Sequence, residues 1–285
     1  MPRGRTEKTL AMVAECRQIL EAIQPATTRA VCYQLFTRQL IANVGKTATN
    51  RISDIMTRAR EQGAIPWVWI VDEHRDAEVV PSWDDPAEYA DAVLSSYRRN
   101  RWQYQPRRIE VWSEKGTVRG TLRAVLNDYG VTFRVMHGYS SASVVKIVAQ
   151  ESSKLDEPLL VFYVGDWDPS GLHMSEVDLP KRLQAYGGNV EIRRLALTQE
   201  DVTAGSLPSF PASSKRSDTR YQWFTRHYGD TCWELDALSP ALLRDRISVA
   251  IWTEIDREAW YRADEIEAVE RESLEEVLEN WRAII

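Results

Sequence analysis

Two carboxylates follow an apolar run in the middle of the chain. The run, residues 159–164, is bounded by Pro158 and Gly165, a pattern typical of a strand buried on both faces of a parallel sheet. Asp166 and Asp168 come directly after it, at the carboxyl edge of the sheet, where open α/β folds bind ligands. Two carboxylates this close repel each other unless a hard cation such as Mg²⁺ lies between them. The pair predicts a magnesium site; the alternative is a solvated Asp-rich turn that caps the next helix.

A third carboxylate, Glu114, follows an earlier predicted strand. That strand covers residues 109–112, and a helix begins directly after Glu114. Because the carboxyl ends of parallel strands meet at one edge of a sheet, we expect Glu114 to lie beside Asp166 and Asp168. A glutamate after one strand and an Asp-x-Asp motif after another would converge on one divalent metal. A lone Glu-Lys pair at a strand end would more often be a helix cap or a surface ion pair.

The elements that position these carboxylates alternate strands with helices. Strands are predicted at 109–112, 131–136, 159–164 and 190–197, and helices at 116–128, 141–151 and 173–186. This alternation predicts a parallel α/β sheet. From residue 239 onward the pattern is helical. The predicted fold class is therefore α/β with a helical carboxyl-terminal part.

The first 80 residues follow a different pattern, three helices and then a strand. Helices are predicted at 6–23, at 28–41 and from residue 49 to Gly63, and a strand is predicted at 65–71. This is the layout of a winged helix-turn-helix domain, whose third helix and wing contact DNA. The alternative is a small helical domain with ordinary surface arginines.

Charge is distributed unevenly along the chain. The 285 residues have a net charge of −6, but residues 1–60 contain ten Lys/Arg and four Asp/Glu, a net charge of 10 − 4 = +6. A basic amino-terminal module can bind a polyanion such as double-stranded DNA. Residues 251–285 have a net charge of 4 − 11 = −7, which is typical of a solvated helix face. The residues predicted to contact DNA are Lys46, Arg51, Arg58 and Lys115.

Composition argues against several classes of protein. No apolar run approaches the ~18 residues of a membrane span, and we expect no secretory signal because the first ten residues are polar. Cys16, Cys32 and Cys232 are isolated, which is typical of reduced thiols in a cytoplasmic protein. The segment 45–47, Gly-Lys-Thr, resembles the end of a P-loop, but Leu40 stands where that motif needs a glycine. We therefore reject an ATPase.

From residue 109 to residue 171 the chain resembles the Toprim domain shared by topoisomerases, primases and some nucleases. The resemblance is closest to the family of the topoisomerase VI A subunit and the meiotic double-strand-break transesterase. It extends to the amino-terminal domain and covers most of the chain, in the order of the family. The matching segments are 28–33, 114–115, 138–140, 166–171 and 234–236, the last followed by Pro240. Ala30 departs from the family pattern, which commonly has an acidic residue after the arginine.

The resemblance implies a DNA-cleaving transesterase of the isomerase class. Tyr33 would attack a DNA phosphodiester and hold the broken end as a phosphotyrosine. Arg29, four residues earlier on the same helix face, would stabilise the phenolate or the phosphate. Mg²⁺, with Mn²⁺ as a substitute, would be held by Glu114, Asp166 and Asp168 and would stabilise charge on the phosphoryl oxygens. Taken alone, Tyr33 would more often be a structural residue of its helix.

The resemblance also implies a homodimer, in which the tyrosine of one protomer meets the metal of the other. Since we expect no ATP-binding module in this chain, ATP-driven strand passage would need a separate ATPase subunit of the B type. The predicted domains are a winged helix at 1–80, a helix and a basic linker able to contact phosphates at 81–108, and a Toprim domain with a helical extension at 109–285. Two alternatives stay open: a Toprim nuclease that hydrolyses DNA with Tyr33 structural, and a DNA-binding winged-helix dimer with an inactive Toprim. We expect a cytoplasmic, nucleoid-associated protein with no membrane partner.

Overall fold

A computed structural model describes residues 7–71, 80–136 and 142–282. The chain forms two units, the larger containing the described residues of 1–73 and 109–251 and the smaller those of 74–108 and 252–285. Helices, parallel strands and a helical carboxyl-terminal part are all present, so the predicted α/β class is confirmed. Every helix among the described residues is too short or too polar to cross a lipid bilayer.

Three helices form the amino-terminal part of the larger unit: α1 (Glu7–Ile23), α2 (Thr28–Thr37) and α3 (Lys46–Glu61). Their apolar faces share one core, in which Leu20, Leu35 and Ile52 are buried. Thr27 caps α2, because its Oγ1 atom accepts a hydrogen bond from the backbone N–H of Ala30 at 3.0 Å. The cap fixes where α2 begins, and thereby the direction of its first turn.

The strand predicted at 65–71 is wrong over most of its length. Residues Trp67–Trp69 form a 3-10 turn, and only β2 (Ile70–Val71) pairs, in parallel with β1 (Ala26–Thr27). Trp67 is 57% exposed, and the guanidinium of Arg60 lies over its ring, 4.6 Å from the centroid. Residues 72–79, where a wing would follow, lie outside the described residues.

A four-stranded parallel sheet forms the centre of the rest of the larger unit. Its strands are β3 (Ile109–Ser113), β4 (Thr132–Val135), β5 (Leu159–Val164) and β6 (Val190–Ala196), in the order β4-β3-β5-β6. The connecting helices are α5 (Thr117–Tyr129), α6 (Ala142–Ser152), α7 (Pro169–His173) and α8 (Leu179–Ala185). Ser113 pairs with Val164, so β3 and β5 end side by side. The predicted turn at 138–140 lies outside the described residues.

Sequence patterns predicted no element between residues 197 and 239, but this segment is structured. It contains α9 (Gln199–Thr203), β7 (Phe210–Pro211), α10 (Tyr221–Tyr228) and β8 (Thr231–Cys232), and α11 (Pro240–Glu254) follows it. β7 and β8 pair antiparallel. The backbone of Trp233 then exchanges two hydrogen bonds with that of Trp167, at 2.9 and 3.0 Å. This exchange brings the chain after β8 against the loop that carries Asp166 and Asp168.

The smaller unit contains α4 (Pro86–Ser96), a 3-10 turn at Arg101–Tyr104 and α12 (Arg257–Arg282). Arg101 lies 2.7 Å from Asp264, and Arg99 pairs with Glu270. Trp102 packs against Trp260, with ring centroids 5.6 Å apart. Arg99 and Arg101, in the linker predicted to contact phosphates, therefore pair with acidic side chains of α12. The acidic face of this helix was predicted to be solvated. α12, predicted as an extension of the 109–285 domain, packs in this unit with α4.

Candidate functional site

The three predicted metal ligands lie at the carboxyl edge of the sheet. Glu114 directly follows β3, and Asp166 and Asp168 follow β5, which is hydrogen-bonded to β3. Burial, together with the negative charges of Asp166 and Asp168, raises the pKa of Glu114 to about 7. The structure therefore brings Asp166 and Asp168 near enough to Glu114 to affect its pKa.

Asp166 is the most constrained of these carboxylates. Its side chain is buried, and its Oδ1 atom accepts a hydrogen bond from the backbone N–H of Leu235 at 2.7 Å. The ammonium of Lys115 lies 2.8 Å from the same oxygen. Burial raises the pKa of Asp166, and the contact with Lys115 opposes that rise. A buried carboxylate needs such partners to stay charged.

Asp168 belongs to a tightly folded loop. Its Oδ1 atom accepts a hydrogen bond from the backbone N–H of Gly171 at 2.7 Å, which caps α7. Its Oδ2 atom lies 3.0 Å from Nζ of Lys215. A Cβ at Gly171 would lie 2.5 Å from the carbonyl oxygen of Asp166, so the loop requires glycine there. Asp168 therefore caps the next helix through Oδ1, as the alternative interpretation predicted, whereas Oδ2 lies against the Lys215 ammonium.

Arg194 on β6 holds the loop that carries Asp166 and Asp168. Sequence patterns did not identify this residue. Its guanidinium donates to the carbonyl oxygens of Gly165, Asp166 and Leu197, the Leu197 bond being 2.7 Å long. It also donates to Oγ of Ser175 at 2.7 Å. Arginine offers five N–H donors in a fixed fork, so one side chain can hold several backbone carbonyls. The loop conformation therefore depends on Arg194.

Lys115, predicted to contact DNA, lies between two carboxylates. Its Nζ atom is 2.8 Å from Oδ1 of Asp166 and 3.0 Å from Oδ2 of Asp236. Oδ1 of Asp236 accepts a hydrogen bond from Oγ1 of Thr27 at 2.7 Å. Asp236, which the family resemblance placed in a structural segment, is thus part of the site. Through it, the start of α2 is connected to the acidic sheet edge.

Arg29 and Tyr33 lie on one face of α2, and Cζ of Arg29 is 5.8 Å from the centroid of the Tyr33 ring. The Arg29 guanidinium donates from two nitrogens to the two carboxylate oxygens of Glu234. Tyr33 is only 2% exposed. Burial and the charge of Glu234 raise the pKa of Tyr33, and Arg29 opposes that rise without overcoming it. In this conformation Tyr33 is a weaker acid than a free tyrosine.

The cations predicted on α3 are exposed. Lys46 is the first residue of the helix, and the side chains of Arg51 and Arg58 are two turns apart on one face. Arg60 is 9% exposed and packs over Trp67, so it is not part of this face. The structure therefore leaves the three predicted cations of α3 at the protein surface.

The residue types at the sheet edge suit a hard divalent cation, because carboxylate oxygens are the ligands that Mg²⁺ prefers. Among the described residues, no group of three or more Asp, Glu, His or Cys side chains is arranged to hold a metal ion. The ammonium groups of Lys115 and Lys215 lie against Asp166 and Asp168. The raised pKa of Glu114 reflects first its burial and then repulsion by Asp166 and Asp168, and a cation would relieve that repulsion. The donor types therefore fit, and the lysine contacts must be released before a cation is bound.

Neither a scan against models of protein families nor a search of curated proteins found a match to this chain. Its function is therefore inferred from the residues and contacts of the site.

The raised pKa of Glu114 predicts a pH-dependent stability. Because this pKa is 4.5 in an ordinary glutamate and about 7 here, the folded chain holds an extra proton between those values. The free energy of unfolding should therefore fall as pH rises through that interval, by roughly 2 kcal/mol. Urea unfolding at about pH 5 and about pH 8 should show this fall in the wild type and a smaller one in Glu114→Gln.

Glu191→Gln is the matched control, because Glu191 lies on β6 with 42% of its side chain exposed. This variant should keep the wild-type pH dependence. An undiminished fall in Glu114→Gln would assign the effect to another group and contradict the prediction.

Proposed function

We propose that this chain cleaves double-stranded DNA by Mg²⁺-dependent transesterification, as a compact relative of the topoisomerase VI A subunit with a winged-helix and a Toprim domain. The observation that best supports the proposal is a continuous set of polar contacts from α2 to the acidic sheet edge. Thr27 bonds to Asp236, Asp236 pairs with Lys115, and Lys115 pairs with Asp166. The helix that carries Tyr33 is thereby held beside the candidate metal ligands.

In this proposal Tyr33 is the nucleophile. Its Oη atom attacks the phosphorus of a DNA phosphodiester, and the bond from phosphorus to the 3′ oxygen breaks. Tyr33 loses its proton and the leaving 3′ oxygen gains one, so the products are a 5′-phosphotyrosine and a 3′-hydroxyl. Arg29 would pair with the phosphate oxygens. Mg²⁺ held by Glu114, Asp166 and Asp168 would supply stabilisation of the charge that develops on the phosphoryl group.

Tyr33 must become accessible for this reaction. It is 2% exposed, and its neighbour Arg29 is paired with Glu234. Because Arg29 lies on the same helix face as Tyr33 and is bonded to Glu234, we expect DNA to reach the phenol when α2 separates from the segment that carries Glu234 and Asp236. In a homodimer the released Tyr33 would reach the acidic site of the second protomer. A separate ATPase subunit of the B type would be one means of driving that rearrangement.

The exposed cations of α3 would hold the duplex. Lys46, Arg51 and Arg58 can contact backbone phosphates without reading sequence. Binding should therefore weaken steeply as salt is raised, because each phosphate contact releases a counterion.

Hydrolysis is the second candidate, and the burial of Tyr33 favours it. The same carboxylates would hold Mg²⁺, a water molecule would attack the phosphorus, and Tyr33 would be a structural residue of α2. In this case Arg29 would serve to hold α2 against Glu234, the contact that it makes in the folded chain.

The state of the broken DNA end distinguishes the two candidates. Supercoiled and end-labelled DNA is incubated with the chain and Mg²⁺ or Mn²⁺, and run on a denaturing gel before and after protease digestion. The wild type should give breaks that carry protein, and Tyr33→Phe should give none, because phenylalanine lacks the attacking oxygen. Tyr89→Phe, at an exposed tyrosine of α4, is the matched control and should behave as the wild type.

Other outcomes point elsewhere. Protein-free breaks that survive Tyr33→Phe but are lost in Asp166→Ala would establish the hydrolytic nuclease. DNA binding without breaks in any variant would contradict cleavage by the chain alone, and would leave the DNA-binding dimer with an inactive Toprim or an enzyme that needs the separate ATPase subunit.

A further inference from the structure

Lys215 lies at the edge of the acidic site, in a segment where sequence patterns predicted no element. Its Nζ atom is 3.0 Å from Oδ2 of Asp168, whose side chain is only 4% exposed. The Lys215 side chain is 43% exposed. The carboxylate of this ion pair is fixed in the protein, whereas the ammonium can turn to solvent on a flexible four-carbon stem.

The backbone around Lys215 is held on both sides. Phe210 pairs with Cys232, and the backbone N–H of Ala212 donates to the carbonyl of Asp230 at 2.7 Å. The 3-10 turn Ala212–Lys215 therefore starts from a fixed base. Lys215 can change its partner by rotating its side chain, without a rearrangement of the turn.

The surface next to Lys215 has the charge expected of a DNA contact. Residues 210–228 contain four Lys/Arg and one Asp, a net charge of 4 − 1 = +3, in a chain whose net charge is −6. Arg216 and Arg226 in this segment are exposed. Arginine and lysine side chains are the principal ligands of backbone phosphates. The segment is thus complementary to a DNA backbone that approaches the acidic edge of the sheet.

We propose that Lys215 is a phosphate-binding residue whose ammonium changes its partner from the Asp168 carboxylate to a DNA phosphate. In the metal-free chain it neutralises Asp168; when Asp168 serves as a metal ligand, Lys215 leaves it and pairs with a phosphate beside the cleavage site. Oδ1 of Asp168 is already bonded to the N–H of Gly171, which leaves Oδ2, the atom that Lys215 contacts, for a cation. The inference rests on the proposed function, since it requires that the acidic site binds Mg²⁺.

The salt dependence of DNA binding, measured with and without Mn²⁺, tests the exchange. Lys215→Gln is made in a Tyr33→Phe chain, so that no phosphotyrosine forms, and binding to a labelled duplex is followed by fluorescence anisotropy. With Mn²⁺, the slope of log binding constant against log salt should be shallower by about 1 than in the parent chain. Without Mn²⁺ the two slopes should agree, because Lys215 is then paired with Asp168.

Mn²⁺ binding to the same chains, measured by calorimetry without DNA, gives a second readout. Lys215→Gln should bind Mn²⁺ up to about fivefold more tightly, because a competing ion pair of the strength typical of exposed sites is removed. Lys154→Gln is the matched control: Lys154 is exposed and precedes β5, at the opposite edge of the sheet. It should leave the slopes and the Mn²⁺ affinity unchanged. Lys215→Arg keeps the charge and should retain the Mn²⁺-dependent slope.

Three results would overturn the inference. Equal slopes with Mn²⁺ in Lys215→Gln and its parent, both of which bind Mn²⁺, would show that Lys215 contacts no phosphate, and the proposed function would survive. A slope reduced equally with and without Mn²⁺ would make Lys215 a permanent DNA contact. A parent chain that binds no Mn²⁺ would remove the metal site, and with it both the exchange and the proposed function.

Discussion

Replacing Asp166 with asparagine should reduce the proposed metal-dependent DNA cleavage by at least about 10³-fold. Asparagine keeps the shape of the side chain and an oxygen able to accept the hydrogen bond from Leu235. It removes the negative charge, which withdraws a proposed Mg²⁺ ligand and the nearer partner of Lys115. The rate at which supercoiled DNA is broken in excess Mg²⁺ measures the effect.

The Asp166→Asn chain should stay folded. Lys115 keeps Asp236 as a partner at 3.0 Å, and the loss of one carboxylate relieves repulsion at Glu114. The free energy of unfolding should therefore change by less than about 1.5 kcal/mol. Asp128→Asn, at an exposed position of α5, is the matched control and should cleave at the wild-type rate. Undiminished cleavage by a folded Asp166→Asn chain would contradict a metal-dependent role for this sheet edge.

The sheet and its acidic edge could be predicted because their signals are local in sequence. An apolar run followed by Asp166 and Asp168 marks a buried strand and its end, and Glu114 marks the end of another. Parallel pairing then brings those ends to one edge, whatever the lengths of the connecting segments. The only additional information needed was the strand order, which places β3 next to β5.

Arg194 and Lys215 could not be predicted, because their roles depend on long-range packing. An arginine within a strand is usually exposed, yet Arg194 is covered by carbonyl groups of a loop that takes shape only when β5 and β6 pair. Lys215 lies in a segment without hydrophobic periodicity, and its approach to Asp168 depends on the pairing of β7 with β8. Neither position carries a local signal of its surroundings.

The sequence also could not indicate which of the predicted functional side chains are exposed to solvent. The spacing of Arg29 and Tyr33 predicts a shared helix face, which the structure has. Whether that face meets solvent depends on Glu234, which is remote in sequence and binds Arg29. Likewise, the charge count of residues 251–285 predicted a solvated acidic helix. Such a count cannot show that Asp264 of this helix pairs with Arg101, which is remote in sequence.

Arg194→Leu should lower the free energy of unfolding by about 3–5 kcal/mol. Leucine fills part of the space but donates no hydrogen bond, so the carbonyl oxygens of Asp166 and Leu197 lose their donor inside the protein, whereas that of Gly165 keeps the backbone N–H of Leu197. Each buried acceptor left without a donor costs about 1–3 kcal/mol. Urea unfolding measures the loss. Arg193→Leu, at the preceding residue with 44% of its side chain exposed, is the matched control and should cost less than about 1 kcal/mol.

Arg194 should also affect the proposed metal binding, through the loop whose carbonyl groups it bonds. Arg194→Lys keeps a positive charge but replaces the forked donor with a single ammonium, which cannot reach all the carbonyls at once. The loop between Gly165 and Gly171 would then be less well ordered, and Mn²⁺ affinity should fall by about 10–100-fold, the usual effect of losing a group that orients a metal ligand. Because calorimetry reports affinity for the folded fraction alone, this loss is separable from instability. A destabilised Arg194→Lys chain with wild-type Mn²⁺ affinity would limit Arg194 to the fold and remove its role in positioning Asp166 and Asp168.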